Sequence, residues 1–133
     1  MEIAKHTFFV TGANSGLGKA TTRQLIKLNA NVVGADLIIN EAQQTASESL
    51  FIHMDVTNVE SIEAALTKAI KRFGTIHGLI NCAGILVAER VLKKDGTLFC
   101  LENFRRCLDV NLVGTFNMIR LVTTLLSRNT PNS

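Results

Sequence analysis

The sequence predicts an α/β fold in which a parallel sheet is covered by helices on both faces. Short apolar runs alternate along the chain with stretches whose apolar residues recur at helical spacing, the pattern of strands joined by crossover helices. The second run, residues 31–36, is almost continuously apolar, as expected for a strand buried on both faces. Right-handed crossovers would then place the helices on both sides of the sheet.

The same patterns place the elements along the chain. They predict strands at residues 6–11, 31–36, 50–54 and 76–81, and helices at residues 17–28, 40–47, 59–73 and 101–126, of which the helix at 40–47 is the weakest. Thr57 and Glu60 have the spacing of a capping box, so Thr57 is the expected N-cap of the third helix, and Gly74 is expected to end it. We therefore predict one domain at residues 1–126, followed by a flexible polar tail at residues 127–133.

Composition excludes several classes of protein. A chain of 133 residues with 47% hydrophobic and 19% charged residues is typical of a globular domain. The net charge of +3 is dispersed, which argues against a nucleic-acid partner, and no apolar run reaches the ~18 residues of a membrane span. Because the N-terminus leads directly into the first predicted strand, we expect no targeting peptide. Three cysteines without metal-ligand spacing predict a reducing, cytoplasmic location and no metal site.

Three glycines predict a phosphate-binding loop. Gly12, Gly16 and Gly18 follow the first apolar run at G-x-x-x-G-x-G spacing and lead into the first predicted helix. Without side chains at these positions, backbone N–H groups can approach a diphosphate closely. The first helical turn adds unpaired donors and the positive end of the helix dipole.

An acidic residue after the second strand predicts which dinucleotide would bind. Asp36 follows Gly18 by 18 residues, close to the ~20 residues that separate the two features in a dinucleotide-binding fold. A carboxylate there accepts hydrogen bonds from the adenosine ribose and repels a 2′-phosphate, and Leu37 offers no cation to offset that repulsion. The prediction is therefore NAD rather than NADP, although Asp36 would also suit the polar end of a strand.

Five motifs in chain order resemble the signatures of the short-chain dehydrogenase/reductase family. They are residues 11–18, Asp36, Asp55-Val56, residues 81–84 and Asp109-Val110-Asn111. Residues 101–122 and the loop with Lys93-Lys94 are similar in particular to the branch of type-2 3-hydroxyacyl-CoA dehydrogenases. The resemblance implies a Rossmann-type parallel sheet in the order 3-2-1-4 and an NAD-dependent oxidoreductase acting on CH–OH groups. It also implies a homo-oligomer. Further strands follow beyond the fourth in the family, so we expect a chain that stops here to leave the fourth strand at an open edge.

The resemblance also implies roles for individual residues. Those implied to line the diphosphate and the nicotinamide ribose are Gly12, Ser15, Gly16, Leu17 and Gly18. Asp36 would hold both adenosine ribose hydroxyls, while Asp55 and the backbone of Val56 would contact the adenine edge. Those implied to flank the middle of the cofactor and steady the sheet are Asn81, Cys82, Ala83 and Gly84. Asn111 would be the first member of a catalytic tetrad, bending the long helix and holding a water in a proton relay.

Residue chemistry alone leaves other roles open at three of these positions. Asn111 would also suit an exposed position or a bond to the backbone, Cys82 a packed residue that contributes its backbone, and Asp55 an ordinary turn.

The sequence departs from the family pattern at the rest of the tetrad. The family requires a Ser, a Tyr and a Lys four residues after the Tyr, and this chain has no tyrosine. We therefore expect the N-terminal, cofactor-binding part of an enzyme, truncated after about four strands and inactive alone. The implied substrate is a small secondary alcohol or its ketone, such as a 3-hydroxyacyl-CoA or a hydroxysteroid. Lys93-Lys94 would contact acyl-CoA phosphates or simply be exposed. The alternatives are a non-catalytic NAD-binding module and a non-functional fragment.

Overall fold

The computed structural model describes residues 2–39 and 47–130. The strands are β1 (Thr7–Thr11), β2 (Asn31–Asp36), β3 (Ser49–His53) and β4 (Gly78–Asn81). The helices are α1 (Gly16–Lys27), α2 (Val59–Phe73), α3 (Leu101–Leu108) and α4 (Thr115–Leu126), and a π-helical segment, Asp109–Gly114, joins the last two. The helix predicted at residues 40–47 lies outside the described residues except for Ser47, which is in a turn.

The four strands form one parallel sheet in the order β3-β2-β1-β4. This arrangement confirms the predicted fold class and strand order. In the described part of the chain β4 pairs only with β1, so β4 is an edge strand. The carboxyl ends of the strands meet at one edge of the sheet, which is where α/β folds bind ligands.

Two clusters of buried side chains hold the helices against the sheet. Alternation along β1 sends Phe8 and Val10 into the cluster that contains Leu25 of α1. Phe9 points the other way, into the cluster whose helical members come from α2 and α4: Ile62, Ala65, Leu66, Ala69, Met118 and Val122. Helices therefore cover both faces, as the nearly continuous apolar strands predict.

The start of α2 differs from the prediction. Asn58, not Thr57, is the N-cap, and its side-chain oxygen accepts the N–H of Ser61 at 2.9 Å. The predicted Thr57 cap is wrong because Asp55 engages that residue: Asp55 Oδ1 accepts the Thr57 N–H at 2.8 Å and the Thr57 hydroxyl at 2.7 Å. Gly74 ends the helix with φ +79°, as predicted.

The helical region from Leu101 to Leu126 packs on the core through one face only. Gly114 brings it close to the end of β3, because a Cβ at this position would lie 2.7 Å from Val56 Cγ2. Met118 and Val122 are fully buried one and two turns later. α3 has no buried residue, and the exposed side carries large apolar residues: Leu101, Phe104, Leu108, Leu112, Phe116 and Ile119. None of the described helices is long and apolar enough to cross a membrane.

Hydrogen bonds connect the segment after α4 to the start of the edge strand. The Asn129 side chain donates to the carbonyl of Ile76 at 2.7 Å and accepts from the Thr75 hydroxyl at 2.6 Å. Residues 131–133, the end of the predicted polar tail, lie outside the described part of the chain.

Candidate functional site

The loop between β1 and α1 lies directly against the chain that follows β4. Gly12 has φ +66°, and a Cβ there would lie 2.8 Å from Ala83 N and from the carbonyl carbon and oxygen of Cys82. A side chain at Gly12 would therefore collide with backbone, which cannot move aside locally. Only glycine permits both this φ and this approach.

Gly18 and Gly16 shape the other side of the loop. A Cβ on Gly18 would lie 2.0 Å from the carbonyl oxygen of Gly12, so α1 starts in contact with the loop. At Gly16, with φ +48°, a Cβ would meet nothing within 4 Å. Ser15 is the N-cap of α1 without a side-chain capping bond, and Leu17 is exposed. Uncapped first-turn N–H groups beside an open backbone surface fit a diphosphate.

Asp36 is fixed beside this loop. Its Oδ2 accepts the N–H of Asn14 at 2.9 Å, and its Oδ1 accepts the N–H of Ile38 at 3.4 Å. The neighbouring N–H of Ala13 donates to the carbonyl of Ala35 at 3.2 Å, which adds a second link between loop and strand. Because a carboxylate offers about four lone-pair sites, two such bonds leave capacity for the hydroxyls of a ribose.

A cleft of about 160 Å³ lies where the carboxyl ends of the strands meet. The predicted residues that line it are Gly12, Ser15, Asp36, Asp55, Val56, Cys82, Ala83 and Gly84. The predicted residues outside its lining are Gly16, Leu17, Gly18, Asn81 and Asn111. The side chain of Asp55 closes the turn before α2, which is one of the roles left open for it, and the residue also lines the cleft.

Several residues near the cleft were missed by the sequence prediction. Thr11 Oγ1, which is buried, accepts the N–H groups of both Cys82 and Ala83 at 3.1 Å and so holds the loop after β4 in place. A hydroxyl residue directly after an apolar run is the sequence feature that could have pointed to Thr11. The residues Leu37, Ile85, Arg106 and Val110 also line the cleft. The sequence predicted no place in a cleft for them, because residues from three separate segments come together only in the fold.

Asn111 ties the long helical region to the loop after β4. Its Oδ1 accepts the N–H of Ile85 and its Nδ2 donates to the carbonyl of Ile85, both at 2.8 Å. It lies within the π-helical segment, a distortion often found at functional sites. The contact with backbone matches one of the roles left open for Asn111, and it places the side chain next to the chain that lines the cleft.

The remaining features are the two lysines of the loop before α3 and possible metal ligands. Lys93 forms an ion pair with Glu89 at 2.9 Å, which leaves the exposed Lys94 as the freer cation of that loop. Across residues 2–39 and 47–130, no group of three or more His, Cys, Asp or Glu side chains is arranged to hold a metal ion.

Comparison with known proteins decides the family. A sequence model of the family described as short chain dehydrogenase matches residues 6–131. The chain belongs to this family. Its members bind nicotinamide dinucleotides, and the glycine loop of this short-chain dehydrogenase chain is the part of the structure that fits a diphosphate.

Relatives with curated names are dehydrogenases acting on hydroxyl groups. The chain is 40% identical over 128 residues to human 3-hydroxyacyl-CoA dehydrogenase type-2, covering 92% of this chain and 49% of the relative. The Drosophila melanogaster protein of the same name is 39% identical, with coverage of 92% and 50%. A 3-alpha-(or 20-beta)-hydroxysteroid dehydrogenase from Mycobacterium bovis is 35% identical, with coverage of 85% and 43%. The chain spans about half the length of these relatives.

Solved structures share the same fold. A 3-ketoacyl-(acyl-carrier-protein) reductase from Brucella melitensis, complexed with NADH, superposes with a TM-score of 0.80 at 28% identity, covering 92% of this chain and 51% of that one. A ligand-free aldohexose dehydrogenase from Thermoplasma acidophilum gives a TM-score of 0.78 at 25% identity, with coverage of 96% and 46%. These matches confirm the Rossmann-type sheet.

Proposed function

We propose that this chain binds NAD, and that the protein to which it belongs uses NAD to oxidise a secondary alcohol to a ketone. The observation that carries the proposal is the carboxylate of Asp36, held at 2.9 Å from the N–H of Asn14 in the glycine loop. In this position one group would accept ribose hydroxyls while the uncapped start of α1 binds the diphosphate.

The same carboxylate carries the preference for NAD over NADP. A 2′-phosphate would bring negative charge next to Asp36, and Leu37, the following residue, is apolar. In calorimetric titration we expect NADH to bind at least about tenfold more tightly than NADPH. Asp36→Asn should reduce this difference in affinity. Equal affinities, or tighter NADPH, would contradict the proposal.

The substrate class follows from the relatives. They are named for 3-hydroxyacyl-CoA and hydroxysteroid substrates, and we propose one of these classes here. A bound nicotinamide would supply the acceptor for the hydride released from the alcohol carbon, and the chain's own residues would bind and orient it. Asn111 would hold a proton-relay water beside the loop after β4, and Lys94 is the cation available to an acyl-CoA phosphate.

The proton donor of the family is absent from these 133 residues, which contain no tyrosine. A tyrosine of pKa about 10 acts as the acid only when a nearby cation lowers that pKa. We therefore expect NADH and acetoacetyl-CoA to show constant absorbance at 340 nm with this polypeptide, and protein-dependent decay would refute the expectation. Cofactor binding without turnover fits the enzyme part or the non-catalytic NAD-binding module. Absence of both fits the non-functional fragment.

We further propose that the chain self-associates in the cytosol. The edge strand β4 and the exposed apolar residues Phe104, Leu112 and Phe116 support association. Three free cysteines support a reducing compartment. Light scattering at micromolar concentration should give a mass above that of the monomer, and a clean monomer would count against self-association.

A further inference from the structure

An arginine on α3 lines the cleft without a partner of its own. Arg106 makes no ion pair or hydrogen bond with side chains in the described part of the chain. Its neighbour Arg105 binds Glu102 at 2.6 Å and so occupies the carboxylate one turn before Arg106. The Arg106 guanidinium is therefore available to a ligand.

Helical spacing aligns Arg106 with the apolar wall of the cleft. Val110 lies one turn further along the same face and also lines the cleft. Gly114, at the end of the π-helical segment, approaches Val56 closely and so holds this part of the helical region against the chain that follows β3. Leu37, Asp55, Arg106 and Val110 line both this cleft and a neighbouring one of about 280 Å³, so Arg106 lies where the two clefts meet.

We propose that Arg106 determines cofactor affinity by stacking its guanidinium on the face of the adenine ring. The inference rests on the proposed function, since it requires a dinucleotide in the cleft. A planar cation binds the face of an aromatic ring, and arginine does so better than lysine because its plane matches that of the ring. The cleft already contains the carboxylates of Asp36 and Asp55, so a neutral base fits beside the cation better than a further phosphate does.

The test measures binding rather than turnover. ADP-ribose, NADH and NADPH are titrated calorimetrically into the 133-residue chain and into Arg106→Ala, Arg106→Lys and Lys71→Ala. Lys71 is the matched control because it also carries one positive charge on a helix. It lies in the last turn of α2, which leads toward the start of β4 and thus away from the cleft. Far-UV circular dichroism checks that each variant is folded.

Arg106→Ala should weaken ADP-ribose and NADH by the same factor, about 3- to 30-fold, the range of a cation on an aromatic face. Arg106→Lys should recover only part of that loss, and Lys71→Ala should match the original chain. Unchanged affinity in Arg106→Ala, full recovery in Arg106→Lys, or a loss confined to NADPH would each overturn the stacking role. If the original chain binds neither ADP-ribose nor NADH, the proposed function itself fails.

Discussion

The side of the sheet formed by β1 and β2 is packed differently from the side formed by β4 and the helical region after it. All five residues of β1 and the four central residues of β2 are buried, and α1 starts in contact with the loop that joins it to β1. On the other side, every residue of β4 is only partly buried and α3 has no buried residue. Backbone atoms pack closely on the side formed by β1 and β2, whereas side chains are exposed on the side formed by β4 and α3.

This difference separates two ways of making a site. The glycine loop proposed to bind the diphosphate depends on the absence of side chains, because a Cβ at Gly12 or Gly18 would overlap backbone atoms. The side formed by β4 and the helical region depends on side chains that reach out, such as Asn111 toward Ile85 and Arg106 toward the cleft. We therefore expect substitutions to damage binding and stability together on the first side, and to act more locally on the second.

The largest effect is expected at the glycine loop. Gly18→Ala places a Cβ at 2.0 Å from the carbonyl oxygen of Gly12, so the loop and α1 must separate. We expect a loss of about 3 kcal/mol in the free energy of unfolding and loss of NADH binding. Chemical denaturation and calorimetry measure the two quantities.

Gly74→Ala is the control, because it adds the same methyl group at a glycine that caps α2 and has open space around it. Its φ of +79° should cost about 1 kcal/mol of stability and leave NADH binding intact. If Gly18→Ala bound NADH normally, close packing of the loop on α1 would not be what shapes the site.

A smaller and more local effect is expected on the other side of the sheet. Asn111→Ala removes both bonds to Ile85, each contributing about 1 kcal/mol or less at this exposed position. Amide hydrogen exchange at Ile85 should accelerate while exchange in β1 and β2 stays unchanged.

Asn103→Ala removes a side-chain amide from α3 and serves as the control, with exchange at Ile85 expected to be unaffected. Equal acceleration throughout the sheet after Asn111→Ala would show that the two sides are not independent.

The smallest effect concerns the joint between the two sides. His77 Nδ1 accepts the N–H of Thr7 at 2.9 Å, and the ring contacts His6 with centroids 4.4 Å apart. Burial lowers the pKa of His77 below 6.5, and the charge of His6 lowers it further. The unfolded chain binds this proton more readily than the folded chain does. The contribution of neutral His77 to the free energy of unfolding is therefore fully present above about pH 6.5 and is lost as the pH drops through the folded-state pKa.

His77→Gln should therefore flatten the dependence of unfolding free energy on pH below 6.5, whereas His53→Gln, at the end of β3, should keep it. If the unfolding free energy depended on pH identically in both variants, His77 would not be the cause of the dependence.

The sequence was sufficient where short-range backbone chemistry decides. The glycine spacing, Asp36 and the apolar strands predicted the loop and the sheet, because each leaves a recognisable pattern in a short stretch of sequence. The prediction of Thr57 as the N-cap of α2 was wrong, because the Thr57 hydroxyl donates to the side chain of Asp55 instead. It also missed Thr11, whose partners are Cys82 and Ala83, since contacts between distant segments leave no local pattern.

The most direct test of the binding loop is the backbone amide spectrum of the chain titrated with NADH. The amides of Gly16, Leu17 and Gly18 should show the largest chemical-shift changes, because the diphosphate would accept hydrogen bonds from the first turn of α1. Saturable changes elsewhere with these three amides unmoved, or no change at all at millimolar NADH, would contradict a dinucleotide site at this loop.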